Sequence, residues 1–97
     1  MLHLIFQTSP ETVLFARIDS GDIAVFLENS VLRLLQNSSL SDLLMQQLKN
    51  KRLCVLKDDL LIRGIAPDEL VNGIEIINYL DLIELTVKNP LIQSWIH

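Results

Sequence analysis

The sequence predicts an α/β fold, a three-layer α/β/α sandwich around a small, mainly parallel sheet of about four strands. Four short apolar runs are typical of strands: LHLIF (2–6), IAVFL (23–27), LCVL (53–56) and IEII (74–77). Apart from His3 and Glu75, these runs are apolar on both alternating faces, as expected for parallel strands covered by helices on both sides. The segments between them have the helical period, so right-handed crossovers are expected.

The first half of the chain contains signals for two helices. Ser9 and Pro10 are predicted to be the N-cap and first-turn proline of a helix that stops before Gly21. Asn29 is predicted to cap a shorter helix over residues 31–35.

The second half contains further cap and stop signals. Ser39 and Asp42 form a predicted capping box at the start of an amphipathic helix, and residues 67–69 start a short turn. Asn78 is predicted to cap a last helix, which should stop near residues 89–90. That last helix runs through Leu80, Ile83 and Val87, which are expected to form its packed apolar stripe.

The length and composition predict a single domain over residues 1–97 with one core. Apolar residues make up 49% of the chain and the mean hydropathy is +0.35. This is more apolar surface than so short a chain readily buries. We therefore expect some apolar surface to be left for a partner.

The charge and the motifs exclude several classes of protein. The net charge is −4, so direct binding of nucleic acid is not expected. A single cysteine excludes an internal disulfide and offers no zinc spacing. The apolar runs are much shorter than the about 20 residues that cross a bilayer, and no signal peptide opens the chain. We expect a cytoplasmic protein with no membrane span.

Cys54 is the first candidate for chemistry. It lies within an apolar strand, followed by Val55 and Leu56, whereas ligands of parallel sheets gather beyond the carboxyl ends of strands. A reactive thiolate needs nearby cations or a helix N-terminus, and burial would raise its pKa. A packed, inert thiol is the favoured interpretation, and a functional thiol remains the alternative.

The other candidates are better explained by structural roles. Asp58 and Asp59 suit the first turn of a helix better than a catalytic pair. His3 is expected to be a hydrogen-bonded core histidine, and His97 is terminal. The three glycines are spaced as turn and cap residues, not as a phosphate loop. We therefore assign no catalytic, cofactor-binding or metal-binding residue, and we expect no cofactor.

The C-terminal segment is the candidate interaction site. It follows the predicted stop of the last helix, so its apolar residues cannot continue that helix. A tryptophan flanked by aliphatic residues is a typical interface anchor. The predicted interface comprises Leu91, Ile92, Trp95 and Ile96.

Several stretches together resemble the DsrH/TusB family of sulfur-relay proteins. They are MLHLIFQTSP at the start, Gly21–Asp22, LKDDLLIRGI at 56–65 and INYLDLIELTVKNPLIQSW at 77–95, the last with Tyr79, Leu85, Thr86 and Trp95. The resemblance implies a DsrE/F/H-like fold and a heterohexamer with sister subunits resembling TusC and TusD. It also implies support of persulfide sulfur transfer towards 2-thiolation of the tRNA wobble uridine, with the carrier cysteine on the TusD-like subunit.

One departure and two alternatives bear on this role. Some relatives carry a cysteine in the first helix, whereas residues 10–20 here contain none. The expected function is therefore that of a non-catalytic subunit. The alternatives are a persulfide-carrying sulfurtransferase that uses Cys54, and an unrelated homo-oligomeric α/β module. A homo-oligomer is also an expected state of this chain when it is alone.

Overall fold

A computed structural model describes residues 1–6 and 11–95, except for the side chains of residues 11–13. The predicted cap at Ser9 and Pro10, and also Ile96 and His97, lie outside the described residues. The strands are β1 (Leu2–Ile5), β2 (Ile23–Phe26), β3 (Arg52–Leu56), β4 (Glu75–Ile77) and β5 (Ile92–Trp95). The helices are α1 (Glu11–Arg17), α2 (Ser41–Gln47), α3 (Lys57–Ile62) and α4 (Tyr79–Lys88), with 3₁₀ turns at Glu28–Leu34 and Pro67–Glu69.

The strands form one sheet, in which every pairing between neighbours is parallel and the order is β4-β3-β2-β1-β5. The predicted α/β class is confirmed, but the described part of the chain contributes five strands to the sheet where about four were predicted. The extra strand is β5, which pairs with the outer edge of β1. The amide of Leu2 donates a hydrogen bond to the carbonyl oxygen of Leu91, and the amide of Phe6 donates one to the carbonyl oxygen of Trp95, both at 3.0 Å. The last segment therefore satisfies backbone groups that β1 would otherwise leave unpaired.

The helices divide into two layers because of the strand order. From β1 to β4 the chain steps in one direction, and right-handed crossovers place the connecting helices on one face. The connection from β4 back to β5 runs the other way, so α4 lies on the opposite face. The described residues form two clusters of buried side chains where one core was predicted, because the sheet separates its two faces. Leu14, Leu44 and Leu60 of α1, α2 and α3 belong to one cluster, and Leu85 of α4 belongs to the other.

Two predicted caps are wrong, and one is confirmed. The Ser39–Asp42 box does not form, since α2 begins at Ser41 and no side chain caps it; instead the amide of Leu40 donates to Ser38 Oγ at 3.2 Å. At α4 the predicted cap is present, because Asn78 Oδ1 accepts from the Asp81 amide at 2.8 Å.

The predicted cap at Asn29 is also replaced by another contact. The 3₁₀ turn there has Leu27 at its N-cap position. The hydroxyl of buried Ser30 accepts from the Leu27 amide at 3.0 Å and lies 2.7 Å from the carbonyl oxygen of Ile5, so it ties the turn to β1. Asn29 instead accepts from the Arg63 guanidinium through Oδ1.

No helix within the described part of the chain has the length and apolarity that crossing a membrane requires.

Candidate functional site

Cys54 lies in the middle of β3, between β2 and β4, and its side chain is fully buried. It packs in the cluster on the α4 face together with Val25 and Leu56. The prediction that this thiol is part of the core is therefore confirmed. Solvent has no direct access to a side chain in this position.

Glu75 gives the thiol an acidic neighbour. The register pairs Cys54 with Glu75, and the thiol donates a hydrogen bond to the carboxylate at an Sγ–Oε2 distance of 3.4 Å. Burial, and then the hydrogen bond to Glu75, raises the pKa of the Cys54 thiol to about 12. Because a sulfur carrier needs the thiolate as its nucleophile, this environment opposes that chemistry.

Arg52 contacts the same oxygen of the Glu75 carboxylate as Cys54 does. Its Nε donates to Glu75 Oε2 at 2.6 Å, and this hydrogen bond raises the pKa of the guanidinium. Sequence reasoning noted Glu75 only as an exception in an apolar strand. Its contact with Cys54 depends on the register of β3 and β4, which the sequence pattern does not specify.

A cavity of about 660 Å³ lies next to Arg52 and Glu75, between α4 and the start of β3 and β4. Its lining mixes cations and anions: Arg52, Glu75, Asp81, Glu84 and Lys88. Cys54 is not among the lining residues. The cavity lies towards the amino ends of the strands, not at the carboxyl ends where parallel sheets usually bind ligands.

Asp58 and Asp59, which were predicted to lie in the first turn of a helix, are found at the carboxyl edge of the sheet. Both lie in the first turn of α3, as predicted, with Asp58 exposed. The Asp59 carboxylate accepts from the Glu28 amide at 2.8 Å and from Arg63 at 3.4 Å. Glu28 has a positive φ of 54°, so Asp59 fixes a backbone conformation that non-glycine residues rarely adopt. Asp59 thus has a structural role here.

A smaller cavity of about 260 Å³ opens at the same edge, on the α4 face. Most of its lining is apolar, and it is contributed by β1, α4 and the ends of β2 and β3: Leu4, Phe6, Leu27, Leu56, Tyr79 and Leu82. Glu28 and Asp59 are the acidic members of the lining. This chemistry suits an apolar side chain better than a phosphate.

His3 is a hydrogen-bonded core histidine, as predicted. Its ring is 2% exposed, Nε2 lies 2.9 Å from Asp22 Oδ2, and the Trp95 indole donates to Nδ1 at 3.1 Å. Because an indole N–H can only donate, Nδ1 is the acceptor and the ring proton lies on Nε2, which donates to Asp22. Sequence reasoning missed this series of hydrogen bonds, because Trp95, His3 and Asp22 come from three distant segments of the polypeptide.

Asp22 carries the negative charge of this cluster. Burial opposes its ionisation, but hydrogen bonds from His3 and from the amino group of Met1 outweigh that effect and lower the pKa of the carboxyl group. The charged form is therefore the one that the fold stabilises.

The described residues of the predicted interface lie in β5 and immediately before it. Leu91 and Ile92 are exposed. Trp95 is partly buried against the cluster on the α1–α3 face, with the Arg17 guanidinium 5.9 Å from its ring centre, and Ile96 lies outside the described residues. Their assignment as an interface stays a prediction.

The described residues include no group of three or more His, Cys, Asp or Glu side chains able to hold a metal ion.

Comparison with known proteins identifies several relatives. A family model described as "DsrH like protein" matches residues 6–91. Protein TusB of Buchnera aphidicola subsp. Baizongia pistaciae is 31% identical over 98 residues, covering 98% of this chain and 100% of that protein. Protein TusB of Erwinia tasmaniensis is 30% identical over 99 residues, with 98% of this chain and 100% of that protein covered.

Two solved structures have the same fold. The ychN protein from E. coli matches with a TM-score of 0.77 at 14% identity, covering 97% of both chains. A protein of unknown function from Methanobacterium thermoautotrophicum matches with a TM-score of 0.76 at 17% identity, covering 96% of this chain and 95% of that one. At these identities the likeness concerns the fold alone.

Proposed function

This chain belongs to the DsrH-like family, whose model spans residues 6–91, and on that premise we propose that it is a non-catalytic subunit of a sulfur-relay complex. The complex is a cytoplasmic heterohexamer with two sister subunits of the TusC and TusD kind. It passes persulfide sulfur towards 2-thiolation of the wobble uridine of tRNA. This chain supports the transfer that a cysteine of its TusD-like partner performs.

The environment of Cys54 is the single observation that carries the non-catalytic role. The thiol is fully buried, lies 3.4 Å from the Glu75 carboxylate, and has its pKa raised to about 12. A carrier must expose a thiolate to a donor and then to an acceptor. Cys54 meets neither condition, so sulfur chemistry in the complex falls to another subunit.

The exposed apolar side chains support a role as a subunit. Among the described residues, twelve large apolar side chains are exposed. Exposed apolar side chains of this kind are typical of a subunit whose partners bury part of its surface. Leu91 and Ile92 of the predicted interface are among them. The net charge of −4 agrees with a subunit that leaves contact with tRNA to other components.

The test is co-expression with the two sister subunits from the same source, followed by sizing of the assembly and measurement of 2-thiolated tRNA. The expression host is a strain from which the gene for its own version of this subunit has been deleted. We expect Cys54→Ala to assemble and to restore thiolation, whereas substitution of the sister subunit's carrier cysteine should abolish it. Loss of thiolation by a folded, assembled Cys54→Ala chain would instead identify Cys54 as a sulfur carrier.

A further inference from the structure

The cavity of about 260 Å³ at the carboxyl edge of the sheet has the size of a side-chain pocket. It lies where open parallel sheets usually bind their ligands, beyond the carboxyl ends of the strands. Pockets that bind cofactors and other small molecules, however, enclose about 300–1,000 Å³. The place is therefore the usual one for binding, but the volume suits a side chain better than a cofactor.

The apolar walls of this cavity are held in place by the core. Leu27 and Leu56, at the ends of β2 and β3, are buried in the cluster on the α4 face. The other aliphatic and phenyl walls pack against the same cluster: Leu4, Phe6 and Leu82. Tyr79 also lines the cavity and is 57% exposed, so part of its ring is available to a partner. The walls are therefore formed before any partner binds.

Glu28 gives the lining an uncompensated negative charge. Within the part of the chain that the structure describes, no hydrogen bond or ion pair involves its carboxylate. The other acid of the lining is Asp59, whose carboxylate lies 3.4 Å from the Arg63 guanidinium. Lys57 follows Leu56 in the sequence, but it is not among the lining residues. The cavity thus combines apolar walls with one free carboxylate.

The backbone of Glu28 is fixed by its neighbours. Its φ of 54° lies in the region that non-glycine residues rarely adopt. Asp59 Oδ2 accepts from the Glu28 amide at 2.8 Å, and Arg63 joins Asp59 to Asn29, the residue after Glu28, at 3.4 and 2.9 Å. Residues held in rarely populated backbone conformations are frequent at binding sites. The free carboxylate therefore starts from a fixed point at the cavity.

We propose that this cavity receives one apolar side chain of a sister subunit, from a segment in which a neighbouring lysine or arginine pairs with Glu28. The inference rests on the proposed function, because it names the chemistry by which that subunit is recognised. A chain with a net charge of −4 attracts cationic segments and repels acidic ones. The free carboxylate of Glu28 then selects among apolar segments, because a like charge placed against it costs affinity.

The experiment measures the dissociation constant between the purified chain and its purified sister subunits. We expect Glu28→Lys to raise it about tenfold or more, because two cations then face one another, and Glu28→Gln to raise it less. Asp42→Lys is the matched control, since Asp42 is exposed on α2 in the opposite layer. Both lysine variants change the net charge equally, so a difference between them isolates the charge at the cavity.

A second pair of variants tests the apolar walls. Leu82 is partly buried and borders the cavity, so the larger ring of Leu82→Phe can extend into the space meant for the partner. We expect this variant to weaken assembly while the melting temperature stays near that of wild type. Leu43→Phe, on α2 in the opposite layer, is the control. Should Leu82→Phe fail to fold, Glu28→Lys decides the matter, because the Glu28 side chain is exposed.

Charge reversal on the partner gives a third measurement. In the Glu28→Lys background, one Lys→Glu or Arg→Glu substitution in a sister subunit should restore assembly, and failure of every such substitution would contradict the pairing. Unchanged assembly of Glu28→Lys, or equal weakening by Asp42→Lys, overturns this proposal while the proposed function stands. A wild-type chain that does not assemble with the sister subunits at all contradicts the proposed function and this proposal together.

Discussion

The indole Nε1 of Trp95 donates a hydrogen bond to Nδ1 of His3 across 3.1 Å, and it joins residues that are 92 positions apart in the chain. This contact fixes the tautomer of a buried histidine and ties β5 to β1 by side chains in addition to the backbone ladder. A side-chain hydrogen bond between distant segments therefore helps to hold β5 at the edge of the sheet beside β1.

Removing the donor should destabilise the fold. We expect Trp95→Phe to lower the free energy of unfolding by about 1–3 kcal/mol, because Nδ1 of buried His3 would lose its partner. Urea unfolding of Trp95→Phe, His3→Phe and the double variant measures the coupling. Strictly additive effects of the two substitutions would show that the contact contributes nothing of its own.

The acidic partner of His3 should make stability depend on pH. The pKa of Asp22 is lowered in the folded state, so its contribution to stability is fully present above the unfolded pKa and is lost as the pH falls through the folded pKa. Asp22→Asn should be less stable than wild type at neutral pH, and the difference should shrink below about pH 4. Unfolding curves at a series of pH values test this, and a difference independent of pH contradicts it.

The Cys54 thiol should be unreactive in the native chain. Alkylation with iodoacetamide should be slow until denaturant is added, because the thiol is buried and its pKa is raised to about 12 from 9.0. The raised folded pKa favours the native state at neutral pH, and that contribution should disappear as the pH rises from 9.0 to about 12. Cys54→Ala should cost about 1–2 kcal/mol of stability. Rapid native alkylation would contradict the packed-thiol interpretation.

The isolated chain should not bind tRNA measurably at physiological salt. With a net charge of −4 it can neutralise few phosphates and gains little from counterion release. A gel-shift titration at two salt concentrations is the measurement. A complex that weakens steeply as the salt is raised would be the contrary result.

The predicted interface of the C-terminal segment is best tested by point substitutions. Truncation after Pro90 would remove β5 and unpair the edge of β1, so it would affect folding as well as assembly. Leu91→Ser should weaken binding of the sister subunits while the melting temperature stays near that of wild type, because this side chain is 63% exposed. Co-purification and melting curves decide the matter, and unchanged binding would count against this part of the interface.

The sequence by itself determined the features that depend on neighbours along the chain. Strands β1 to β4 were predictable because runs such as IAVFL are apolar on both faces, which requires cover on both sides. The burial of Cys54 followed from its place in such a run. The cap of α4 was predictable because Asn78 and Asp81 are three residues apart and contact one another locally.

Tertiary structure alone decided the contacts between distant segments. Strand β5 contains Gln93 and Ser94 and has no clear strand pattern, so its pairing depends on the free edge of β1 and on α4 returning the chain there. Likewise, the prediction that Leu80, Ile83 and Val87 form the packed stripe of the last helix is wrong, because all three side chains are exposed. In the fold Leu82 and Leu85 face the sheet and the other three are exposed, because a helix with apolar residues on two flanks takes its orientation from the layer it packs against.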